Sequence, residues 1–209
     1  MLKASDIKYS YNSTRVFEFP EILCQSGESL LLLGPSGCGK STWLHLMCGL
    51  LKSQNGLIQI QDTDITKLSA SAMDLFRAKN IGVVLQKSHF ISSLNVLDNL
   101  LLFQTLGGAI KNLDFICELL NQLGILGLIN QNIQSLSQGE LQRLNFARAL
   151  IHKPKIILAD EPTSALDDYH ADLIANIMLE HAKSMHASLV IVTHDLRLKK
   201  LVNHQVQLS

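Results

Sequence analysis

Residues 34–41 read GPSGCGKS and fit the spacing G-x-x-x-x-G-K-[ST] in full. Each part of that pattern suits phosphate chemistry. Gly34, Pro35, Ser36, Gly37, Cys38 and Gly39 make a turn whose glycines let backbone N–H groups point inward at phosphate oxygens, and the N-terminus of the following helix adds partial positive charge. Lys40 is placed to reach the β- and γ-phosphates, Ser41 to ligate Mg²⁺, and Thr42 to lie near the α-phosphate. Three other apolar runs end in polar groups of related use. IILADEP delivers Asp160 and Glu161, an aspartate to hold Mg²⁺ through its water shell and a glutamate to orient or deprotonate the attacking water. IGVVLQ ends in Gln86, a neutral group able to bridge metal and water. LVIVTHD ends in His194, a candidate donor to the γ-phosphate. Taken singly, the acids read equally as solvated loop residues and the histidine as a packed or surface one. Four such groups at equivalent strand ends, beside one phosphate loop, argue for a common site.

The elements that must position them are legible as short apolar runs: SLLLL at 29–33, LIQI at 57–60, IGVVL at 81–85, IIL at 156–158 and LVIV at 189–192. Continuous runs this short predict strands buried on both faces, as in a parallel sheet covered by helices. Ligands gather at the carboxyl ends of such strands. A helix is expected from Lys40, with Trp43, Met47 and Leu50 on one face. Another is expected from Glu140 to Ile151, with Leu141, Leu144 and Ile151 in register and Lys153-Pro154 ending it. Ser137 followed by Glu140 is a capping box for that helix. Alternating strands and helices give an α/β fold. Residues 87–136 break the alternation with helical spacing, so they read as a helical subdomain inserted between 1–86 and 137–209.

Composition narrows the class. At 209 residues, 47% apolar and 17% charged, the chain suits one globular unit rather than a disordered one. Its formal net charge is zero, without a Lys/Arg block, so nothing marks an electrostatic surface for nucleic acid or lipid. Cys24, Cys38, Cys48 and Cys117 are scattered, with no zinc spacing, which favours a reduced cytosolic chain. The N-terminus lacks a signal-peptide core, and no run approaches the roughly 18 apolar residues of a membrane span. A protein soluble by itself is expected.

In this order, the motifs resemble the nucleotide-binding subunit of an ATP-binding cassette (ABC) transporter, over nearly the whole chain. GPSGCGKST is similar to Walker A, Gln86 to the Q-loop, LSQGE at 136–140 to the signature, IILADE to Walker B, SALD at 164–167 to the D-loop, and His194 to the switch histidine. The resemblance implies a P-loop NTPase with a RecA-like, mostly parallel sheet, a small antiparallel β region and the inserted helical subdomain. It implies ATP and Mg²⁺, with Tyr11 (Tyr9 is the alternative) stacking on adenine, 23 residues before Gly34. It also implies a head-to-tail dimer, in which each ATP lies between the Walker A of one copy and Ser137 and Gly139 of the other, with Asp167 among the nucleotide contacts. Integral membrane subunits would insert coupling helices beside Gln86, over residues 87–102, where Lys87, Phe90 and Leu94 are the candidate contacts. Such a subunit is cytoplasmic and peripheral on the inner face of the cell membrane. G-E-x-Q-R after the signature serine resembles the lipoprotein-release, macrolide-export and cell-division subgroup, although Gln138 stands where the family usually has glycine. The alternatives are a soluble, non-transport ABC ATPase of repair, translation or cluster assembly, and a P-loop kinase. The first usually brings coiled-coil insertions, zinc modules or paired cassettes. The second leaves LSQGE and His194 without a use.

Overall fold

The computed structural model describes residues 1–11, 16–35, 37–86, 89–164 and 166–208. The chain opens with four short strands, β1 (Leu2–Ser5), β2 (Lys8–Ser10), β3 (Val16–Glu18) and β4 (Ile22–Cys24), ahead of the apolar β5 (Ser29–Leu33). Helix α1 (Lys40–Met47) follows the glycine-rich turn, then β6 (Leu57–Ile60), β7 (Thr63–Asp64), α2 (Ala70–Asn80) and β8 (Ile81–Val84). Three helices come next, α3 (Val96–Leu106), α4 (Leu113–Gln122) and α5 (Gln138–Leu150). The chain returns to sheet through β9 (Ile156–Asp160), α6 (Asp168–Ser184), β10 (Ser188–Thr193) and β11 (His204–Gln207).

Five strands pair in parallel in the order β11-β5-β10-β9-β8. Side chains alternate between the faces of a strand, so this sheet has two apolar faces and two cores. Leu31, Leu33, Ile157, Ala159, Leu189 and Ile191 face the helices α3 to α6. Leu30, Leu32, Ile156, Leu158, Val190 and Val192 face α1 and the antiparallel strands. Each buried Leu, Ile or Val contributes roughly 1.5–3 kcal/mol of burial, which explains why these runs tolerate no polar residue until they end. Register then levels those ends. Thr193 pairs with Leu33, and Val192 pairs with Asp160. The residues just past β5, β10 and β9 therefore emerge side by side on one edge of the sheet.

Two expectations are corrected. The run at 57–60 is not part of the parallel sheet. β6 pairs antiparallel with β1 in a sheet ordered β4-β1-β6-β7, with Ile60 opposite Leu2 and Ile58 opposite Ala4. Its burial alternates: Ile58 and Ile60 are buried, Leu57 and Gln59 half-exposed. Leu-Ile-Gln-Ile thus covers one face only. Leu50 is likewise not on the α1 face with Trp43 and Met47. The helix ends at Met47, Gly49 turns the chain at φ 65, and Leu50 is half-exposed.

Within 87–136 the described residues form α3 and α4, short 3₁₀ turns and one isolated bridge, Asn95 to Asn132. Both helices start on an asparagine side chain, Asn95 and Asn112, which accepts a backbone N–H of the first turn. Val96, Leu100, Ile116 and Leu119 join the same apolar cluster as Leu31 and Ile157. Among the described residues, no helix is long and apolar enough to cross a membrane.

Candidate active site

The turn between β5 and α1 needs its glycines. Gly37 and Gly39 have φ of 81° and 100°, in the left-handed region that side chains resist. A Cβ on Gly39 would lie 2.7 Å from Cδ1 of Phe17, and one on Gly34 would lie 2.7 Å from Sγ of Cys38. Helix α1 begins at Gly39 with no side-chain cap and no acid in its first turn, so its N-terminus keeps its partial positive charge for an outside group. The Lys40 ammonium is folded back, donating to the carbonyls of Gly34 at 2.8 Å and Pro35 at 3.0 Å.

The ends of β9 and β10 supply the acids and the histidine. Asp160 closes β9 and lines the same cleft as Ser41. Burial pushes its pKa up, with Glu161 adding to the shift and Ser41 opposing it. Its charged form is therefore one that a nearby cation would favour. Glu161 is 8% exposed and sits at φ 49. Its Oε1 is 2.6 Å from Nδ1 of His194, and its Oε2 accepts from the Thr193 hydroxyl at 2.7 Å. With Nδ1 donating to a carboxylate, Nε2 of His194 can also donate only when the ring is doubly protonated. The His194 side chain is 65% exposed.

These groups share a cleft of about 320 Å³. Its lining brings together Gly37, Gly39, Lys40, Ser41, Thr42, Gln86, Asp160, Glu161 and His194, all named from the sequence. Phe17, which the sequence reading missed, is the aromatic residue in that lining. Tyr11 stands beside it, 60% exposed, with its hydroxyl 3.1 Å from Thr42 Oγ1 and its ring edge-on to Phe17 and Tyr9. Nothing local marked Phe17, since its place depends on strand β3 folding over Gly39. Gly34, Pro35 and Cys38 lie in the turn but outside the lining.

Ser137, Gly139 and Asp167 lie outside it too. Ser137 caps α5 in a complete capping box with Glu140, and Gln138 is exposed on the first turn. Asp167 caps α6 and accepts from the backbone N–H and ring Nδ1 of His170. Phe90 and Leu94 are half-buried, and Phe90 lies 5.2 Å from the Arg148 guanidinium carbon. Ser36, Lys87 and Ala165 fall outside the described residues. A second group missed in the sequence braces the loop after β10. Arg197 grips Asp195 through Nε at 3.0 Å and Nη2 at 2.7 Å, and reaches Asp168 at 2.6 Å. This holds the Asp195 carboxyl down at about 2.

Residues 21–164 match the family model described as ABC transporter. The chain belongs to the ABC transporter ATPase family. A lipoprotein-releasing system ATP-binding protein, LolD, of Legionella pneumophila (strain Lens) is 36% identical, over 90% of this chain and 83% of the relative. A methionine import ATP-binding protein, MetN 1, of Pseudomonas fluorescens is 36% identical over 87% of this chain and 55% of its own length. Among solved structures, the dimeric, ADP- and Pi-bound post-hydrolysis state of the ATP-binding cassette MJ0796 superposes with a TM-score of 0.90 at 28% identity, covering 100% of this chain and 94% of that one. This ABC ATPase binds and hydrolyses ATP, and its cassette fold combines the parallel sheet with a separate antiparallel one. Ser41, Asp160 and Gln86 bring hard oxygens to the cleft, a donor set that suits Mg²⁺. Among the described residues no three His, Cys, Asp or Glu cluster to hold a metal by themselves.

Proposed function

We propose that two copies of this chain close head-to-tail on two ATP molecules, and that closure moves separate integral membrane subunits. The observation that carries the reading is the convergence of Lys40, Ser41, Gln86, Asp160, Glu161 and His194 at level strand ends. Lys40 leaves the loop carbonyls for the β- and γ-phosphates. Ser41, Asp160 and Gln86 would hold Mg²⁺, which would supply positive charge to offset that of the phosphates. Glu161 takes the proton of the attacking water, and His194 swings toward the γ-phosphate. Tyr11 stacks on adenine. Ser137 and Gly139 serve the nucleotide of the other copy, with Asp167 at the same interface. The dimeric MJ0796 cassette supports this pairing.

The helical segment at 87–136 then acts as a subdomain that carries the signature helix. A mostly apolar cleft of about 320 Å³, lined by Leu50, Leu85, Phe103, Leu106 and Arg148, opens near Gln86. Leu50 and Leu106 are exposed at its rim, which supports docking of a membrane subunit there, on the cytoplasmic face. Relatives at equal identity are named for lipoprotein release and for methionine import. Cargo would then be chosen by the membrane subunit, and G-E-x-Q-R favours the lipoprotein-release, macrolide-export and cell-division subgroup.

The test is Glu161→Gln. ATP should still bind, turnover should fall about 10²–10⁴-fold, and an ATP-trapped dimer should appear on size-exclusion chromatography. Normal turnover in this variant would remove Glu161 as the base.

A further inference from the structure

Thr193 ends β10 and is fully buried, yet it follows an unbroken apolar run, Leu189 to Val192. Valine would fill nearly the same space there, so the hydroxyl requires a reason of its own. That hydroxyl accepts the Asp195 N–H at 3.0 Å and lies 2.7 Å from Glu161 Oε2. An N–H cannot accept, and a hydroxyl has one proton to give. The proton therefore points at Glu161. The donor that fixes this direction is itself held: Asp195 accepts from Thr163 Oγ1 at 2.6 Å and from Arg197 at 2.7–3.0 Å.

Glu161 needs such a hold. Its backbone sits at φ 49, an uncommon setting for a residue with a side chain. The backbone is pinned by its N–H on the Val192 carbonyl at 2.8 Å and by the Ser164 hydroxyl on its own carbonyl at 3.0 Å. Its carboxylate has three donors, a long one from the His194 backbone N–H to Oε2 at 3.4 Å and two short ones from side chains, and the two side chains differ in permanence. His194 is mostly exposed and can leave for the nucleotide, whereas Thr193 is 0% exposed and cannot move without breaking the sheet edge.

We propose that Thr193 is the positioning residue of the Glu161 carboxylate, holding Oε2 in place while His194 releases Oε1. The proposal rests on the reading of Glu161 as the base. Thr193 is not itself part of the cleft lining and reaches it only through Glu161, so its effect should fall on the rate and not on binding.

The experiment compares Thr193→Val, Thr193→Ser and Glu161→Gln in the full chain, by steady-state ATPase rates and calorimetry with ATP. Loss of a hydrogen bond to a charged group predicts a kcat about tenfold lower for Thr193→Val. KM and ATP affinity should stay near the parent's, and Thr193→Ser should restore most of the rate. Parental turnover in Thr193→Val, with Glu161→Gln stopped, overturns the positioning role and leaves the base standing. Normal turnover in Glu161→Gln removes the base and the positioning role together. Equal losses in Thr193→Val and Thr193→Ser would mean that packing matters and the hydroxyl does not, which also overturns it. Should Thr193→Val not fold, Thr193→Ala against Thr193→Ser makes the same comparison, slow against fast.

Discussion

Two helix N-termini in this molecule are proposed to meet phosphate, and they are built in opposite ways. Helix α1 starts on a glycine, with no side-chain cap and no acid in its first turn. Helix α5 starts on Ser137, whose hydroxyl and backbone N–H both donate to the Glu140 carboxylate at 2.7 and 2.8 Å, while the Glu140 N–H returns to the hydroxyl at 3.4 Å. The first end leaves its donors open to an outside anion. The second already holds an anion of its own. Their glycines differ in the same sense. Gly39 is demanded by the chain itself, through a φ of 100° and contact with Phe17. Gly139 is not: a Cβ there would meet nothing closer than 3.7 Å, the tip of Arg143. An element complete within one chain states its constraints in that chain. An element used only when two chains meet would not, and the proposed role of Gly139 is of the second kind.

The largest effect should come from Gly39→Ala. A left-handed backbone costs a residue with a Cβ roughly 1–2 kcal/mol, and the clash with Phe17 adds to it. Denaturant melts should show that loss, and calorimetry should show ATP affinity reduced at least tenfold. An unchanged midpoint with unchanged affinity would erase the contrast between the two glycines. Gly139→Ala should do the reverse. Alanine on the first turn of α5 should leave stability unchanged or raise it by up to about 1 kcal/mol, and a single copy should bind ATP as before. Turnover should nevertheless drop severalfold, because the added methyl would face the nucleotide of the other copy. Parental turnover in Gly139→Ala would mean that α5 never meets a nucleotide.

The same distinction governs what the sequence revealed. The turn at 34–41 was legible because its chemistry is local and the spacing is contiguous. The convergence of Gln86, Asp160 and His194 on one cleft was legible because each ends an apolar run, and register in a parallel sheet levels those ends. LIQI was misassigned because four residues cannot tell a strand covered on one face from one covered on both. Leu50 was misassigned because helical spacing was carried past Gly49, where the chain turns. Phe17 and the Thr193–Glu161 bond left no local trace, since both depend on contacts between segments far apart in sequence. The capping box was readable from Ser137 and Glu140 alone, which is why the α5 start looked ordinary by itself.

The smallest effect tests that capping box directly. The Ser137 hydroxyl and then its backbone N–H hold the Glu140 carboxyl below the usual glutamate range. A carboxyl depressed in the folded state stabilises it above its unfolded pKa, roughly 4.3, and loses that contribution as pH falls through the lower folded value. Glu140→Ala should therefore cost about 1 kcal/mol at neutral pH, the usual worth of a helix cap. The gap between parent and variant should close as the pH is lowered from about 5 to about 3. A gap that persisted at low pH would place the value of Glu140 in something other than its charge. The end of α1, with no acid in its first turn, offers no such pH-dependent term, so acid should weaken the cap of α5 alone.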